Sequence, residues 1–110
     1  GRADFGGYEL MVTGEIMRGR YYKSWAAPAA IPANQVTAFT VDLHQQSYTF
    51  KQGHRIMVQV HSTWFPLYDR NPQTFVPNIF KAQASDYRAQ THRIARTAQQ
   101  PSYVEVDVIP

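Results

Sequence analysis

The chain contains no cysteine, so neither a disulfide framework nor a thiolate metal site can hold it together. It has no run of about 18 apolar residues, which excludes a membrane-spanning helix. The nucleophile elbow Gly-x-Ser-x-Gly is absent, and none of Ser24, Ser47, Ser62, Ser85 or Ser102 falls at a strand-to-helix turn. His-x-x-x-His spacing and carboxylate-rich loops are missing too, so no metal site is expected. Charge is sparse, at 17% of residues, and the 11 lysines and arginines are spread among 8 carboxylates without a basic run. A net charge of +3 then speaks for solubility rather than for a nucleic-acid stripe. The opening residues show no basic-then-apolar layout of a signal peptide and no initiating Met. They are expected to be internal to a longer protein.

What is present is a globular composition, 44% hydrophobic and 14% aromatic, over 110 residues. That is one domain or a piece of one. The hydrophobic period is two. Along 36–43, Thr37, Phe39, Val41 and Leu43 share a face; along 55–62, Ile56, Val58 and Val60 do. Near the end Val104, Val106 and Val108 alternate with Tyr103, Glu105 and Asp107. Such alternation, rich in β-branched residues, predicts half-buried antiparallel strands. Residues 8–17 read the same way, with Gly14 marking a bulge or a close backbone approach. Lys51-Gln52-Gly53 predicts a hairpin turn between 47–50 and 54–62. Two connections, 26–34 and 65–84, carry prolines and should be irregular, the second with one short turn of helix. Residues 81–90 show a weak apolar face and read as a helix or a loop. The sum predicts an all-β sandwich.

Candidate chemistry is thin. His44, His54, His61 and His92 could serve as bases, yet none has a nucleophile or carboxylate at local spacing. Glu105 and Asp107 share a strand face, close enough for paired-carboxylate chemistry, but read more simply as a solvated edge. The most informative stretch runs from Ser62 to Pro72, where Trp64, Phe65, Tyr68, Asp69, Arg70 and Asn71 follow a strand end. These aromatics would either dock on a partner or stack on a sugar, or else plug the end of the sandwich while Asp69 and Arg70 shape the loop.

Several motifs then converge. Residues 7–12 (Gly-Tyr-Glu-Leu-Met-Val), 14–21 (Gly-Glu-Ile-Met-Arg-Gly-Arg-Tyr) and 50–60 with its Gly-His-Arg-Ile resemble the C-terminal domain of the X-Pro dipeptidyl-peptidase family. Trp64-Phe65-Pro66, residues 69–72, Thr91-His92-Arg93-Ile94 and Pro101-Ser102-Tyr103 extend the resemblance to nearly the whole chain. That family includes α-amino-acid ester hydrolases, glutaryl-7-aminocephalosporanic-acid acylases and cocaine esterase, and the acylase and ester-hydrolase branch is the nearest look.

The resemblance implies a jelly-roll β-sandwich of the galactose-binding-domain kind, all 110 residues belonging to its C-terminal part, with the remaining strands and an α/β-hydrolase domain upstream. The Ser-His-Asp triad lies in that other domain, so no catalytic residue, cofactor or metal is carried onto this chain. The implied role is that of an accessory domain to a serine hydrolase acting on peptide, amide or ester bonds. It would pack on the catalytic domain through Trp64, Phe65, Tyr68, Asp69, Arg70 and Asn71, shape the active-site entrance or support a homo-oligomer, without nucleic acid or membrane as partner. Frequent export in the acylase branch leans toward a periplasmic or secreted setting. The alternative is a free-standing carbohydrate-binding jelly-roll module.

Overall fold

A computed structural model describes residues 7–110. Among them the regular elements are three short 3-10 helices: η1 (Gly19–Tyr21), η2 (Ile79–Lys81) and η3 (Ala84–Asp86). The all-β jelly-roll sandwich is therefore corrected. No strand or bridge occurs among the described residues. Alternation tells which side chains of a segment share a face; a strand exists only when a second segment exchanges N–H and C=O bonds with it. Here that exchange does not happen. Most backbone bonds close turns, and the longest reach runs from the Arg88 N–H to the Pro72 carbonyl at 3.0 Å. The segment 54–62 shows the consequence, with Ile56 70%, Val58 62% and Val60 68% exposed on one face and Met57 59% exposed on the other.

The turns themselves follow the sequence. The His54 N–H reaches the Lys51 carbonyl at 3.1 Å, with Gly53 at φ 83°. That conformation favours glycine because a side chain there would crowd the backbone. The predicted helical turn within 65–84 is η2, capped by Asn78, whose Oδ1 accepts from the Phe80 N–H at 2.9 Å. In η3 the Gln83 N–H donates to Asp86 Oδ2 at 2.8 Å, while the Asp86 N–H returns to the Gln83 carbonyl at 2.9 Å. Residues 81–90 beyond these turns are irregular.

The core lies where irregular chain was expected. Pro72 and Val76 are the buried apolar residues among those described. Arg20, in η1, ties them to the first segment. Its Nη2 donates to the Val76 carbonyl at 2.8 Å and its guanidinium stands 4.7 Å from the centre of the Phe75 ring. A satellite of rings flanks η1, with Tyr21 stacked on Trp25 at 6.2 Å and Tyr22 tilted against Phe39 at 5.6 Å. The radius of gyration is 17.5 Å, where a compact chain of about this length would have ~13 Å. The chain is open, and most of its apolar surface faces outward.

Two polar contacts pin residues 13–15 to 42–44. The Thr13 hydroxyl donates to the Leu43 carbonyl at 2.9 Å, and His44 Nε2 meets Glu15 Oε2 at 2.8 Å. The Ile16 N–H, bonded to Glu15 Oε1 at 2.7 Å, holds the Glu15 carboxyl below its usual pKa, with His44 adding to the effect. A lowered folded pKa means the contact contributes stability above the ordinary carboxylate range and loses it as pH falls through the folded value. Amide exchange at Ile16 should therefore accelerate at acid pH beyond its intrinsic rate. In Glu15→Gln that extra acid acceleration should vanish; an identical pH profile in both proteins would refute the assignment.

Candidate functional site

The loop 62–72 is built by short-range bonds. Thr63 Oγ1 accepts from the Phe65 N–H at 3.3 Å, and the Tyr68 N–H closes on the Trp64 carbonyl at 3.0 Å around a cis Phe65–Pro66 peptide. This closure brings Trp64 and Tyr68 together, ring centres 5.9 Å apart and tilted by 44°. Asn71 Oδ1 accepts from the Gln73 N–H at 3.2 Å, an Asx turn that carries the chain into buried Pro72.

The sequence-predicted residues separate into distinct settings. Phe65, Asp69 and Arg70 line an open groove together with Ile79, Phe80, Ala82 and Tyr87. Within it Arg70 lies over the Phe65 ring, 4.6 Å from its centre, a contact that presents a flat, partly apolar wall. Asp69 forms no ion pair with Arg70; among the described residues the ion pair is that of His44 with Glu15. Arg70 thus meets the loop through the Phe65 ring and not through Asp69. Trp64 is placed differently. Its indole lies over Gly14, so close that an added Cβ there would stand 2.9 Å from Trp64 Cη2 and would overlap Met11 Cε. Gly14 is therefore the close approach that its place in the segment suggested. Asn71 belongs to neither group and lines a cavity beside Arg18 and Arg20.

Sequence reasoning missed Ile79, Phe80, Ala82 and Tyr87. The available signal was a pair of aromatics, Phe80 in the proline-containing connection and Tyr87 just beyond it; Phe80 is 78% exposed. It also missed Arg20, whose reach to the Val76 carbonyl no local pattern announces.

The tilt of Trp64 against Tyr68 does not make the coplanar platform that stacking on a sugar ring would use. As to chemistry, His44 is occupied by Glu15 and His61 Nε2 by Gln59 Oε1 at 3.1 Å. Among the described residues no group of three His, Asp or Glu side chains could hold a metal ion, and no helix is long and apolar enough to cross a membrane.

The groove is open and edged by aromatics, with Arg70 laid over the Phe65 ring. Residues 6–105 match the family described as X-Pro dipeptidyl-peptidase C-terminal non-catalytic domain. The chain belongs to this family, and within it is a non-catalytic accessory domain of hydrolases. A curated relative, cocaine esterase from Rhodococcus sp. (strain MB1 Bresler), is 36% identical over 94 residues, which is 86% of this chain. The chain spans 16% of the length of that relative. No solved structure matches this chain.

Proposed function

We propose that this domain serves a serine hydrolase chain, acting on peptide, amide or ester bonds, by packing on its catalytic domain through the 64–71 loop and the groove beside it. The observation that carries this reading is the groove, where Phe65, Asp69 and Arg70 meet Phe80 and Tyr87. Its aromatics are outward-facing, with Phe65 55% and Phe80 78% exposed, and contiguous exposed apolar surface marks an interaction site. The family's non-catalytic character and the short span of the relative that is matched support a role subordinate to another domain. Docking here would shape the entrance of the active site, and apolar surface outside the groove would remain for a second copy of the protein.

Hydroxyl-radical footprinting of the full-length hydrolase tests the reading. Phe65, Phe80 and Tyr87 should be labelled several-fold more slowly than Trp25, which is 74% exposed and outside the groove. Labelling of all four at rates set by their exposure in the domain alone would exclude docking at this surface.

A further inference from the structure

Apart from the groove, the molecule holds a second concavity with a different chemistry. Arg18, Arg20, Asn71, Thr74, Phe75 and Val76 line a cavity of about 40 Å³. Two polar atoms of these lining residues, Arg20 Nε and Thr74 Oγ1, are buried and have no hydrogen-bond partner. Buried donors are ordinarily satisfied, because leaving one unpaired forfeits its hydration without return. An arginine cannot shed the problem by deprotonating, since its guanidinium stays charged at any physiological pH.

The guanidinium is held by two other contacts. Nη2 is committed to the Val76 carbonyl and the plane is held against Phe75. The Nε edge is therefore held in a set orientation, and Thr74 and Arg18 line the same cavity. No acidic side chain lines the cavity. Positive charge, an oriented N–H and a hydroxyl together call for an anionic acceptor with planar oxygens. The volume admits a carboxylate head and excludes a sugar ring or a nucleotide.

We propose that this cavity is a carboxylate-binding site. Arg20 Nε–H and the Thr74 hydroxyl donate to the carboxylate oxygens, and Arg18 supplies the second positive charge. The carboxylate comes either from a small organic acid in solution or from an Asp or Glu side chain of a segment packed against the domain; both present the same group to the same donors. Charge-assisted bonds of this kind are short and strong, which is what a fixed, partly desolvated guanidinium is suited to.

The test follows the Arg20 Nε–H resonance in ¹H–¹⁵N spectra of the full chain, assigned by its loss in Arg20→Lys. Sodium acetate is titrated at constant ionic strength. A saturable shift identifies a site for free carboxylates, and its apparent Kd should weaken about tenfold in Thr74→Val, which loses one bond to a charged acceptor. A resonance that ignores acetate, is shielded from exchange at neutral pH and collapses to the solvent-exposed position below the carboxylate range identifies a carboxylate of the protein itself. Either result supports the proposal. A resonance that responds to neither acetate nor acid overturns it and leaves a merely hydrated cavity. The acetate and acid arms use the unmutated chain, so a poorly folding Thr74→Val would not obscure the answer.

Discussion

If the domain docks as proposed, replacing Trp64 with alanine in the full-length protein is expected to weaken its association with the catalytic domain by about 2 kcal/mol or more, the range of an aromatic anchor at an interface. Trp64 works at two levels. Within the domain its indole covers Gly14 and pairs with Tyr68, so the truncation also loosens the first segment. Toward a partner, it sits beside the loop residues that form the groove. The readouts are the thermal midpoint of the full-length enzyme and its kcat/KM, both expected to fall. Unchanged values for both would sink the docking reading. Phe65→Ala separates the two levels, because Phe65 touches Arg70 and the groove but is not among the atoms over Gly14. It should reduce docking with little loss of domain stability. Gly14→Ala presses from the other side. The new methyl would crowd the rigid indole and should cost about 1–3 kcal/mol of domain stability, the usual range for overpacking.

Arg20→Ala should lower the stability of the domain by about 2–3 kcal/mol, as a bond to a charged donor and a cation–ring contact are lost together. The Val76 carbonyl would lose its donor next to a buried side chain, and Phe75 would lose the plane that covers it. These contacts link η1 to residues 75–76, far apart in sequence, so their loss should appear as a lower denaturant midpoint for the whole domain. Arg20→Lys should recover only part of the loss. Its ammonium keeps the charge but has no planar fork to bond a carbonyl and lie on a ring at once. A midpoint unchanged in Arg20→Ala would mean that the 72–76 core stands without its tie to η1.

Much of the local structure was legible in the sequence. Gly53 in the turn at 51–53, the proline-bearing connection with its brief helical turn, and the close approach at Gly14 each rest on one residue's steric limits. The family was legible as well, since its motifs are spread over nearly the whole chain and match over residues 6–105. The strands were not. Residues 36–43, 55–62 and 103–108 keep their alternation, yet both faces of 54–62 lie open. A period of two describes a segment, whereas pairing is a property of two segments and depends on which chain lies alongside.

The site divides along the same line. Trp64, Phe65, Tyr68, Asp69, Arg70 and Asn71 stood out because bulky and charged residues crowd a proline-bounded loop. That the groove keeps Phe65, Asp69 and Arg70, adds Phe80 and Tyr87, and leaves Asn71 to the Arg20 cavity could only emerge once residues 79–87 were placed against the loop. The sequence by itself determined the family, the non-catalytic character and the turns, because these reside in residue identity and short-range sterics. The tertiary structure decided which segments go unpaired, where the small core sits and which side chains share a cavity, because burial and hydrogen bonding join residues that have no relation in sequence order.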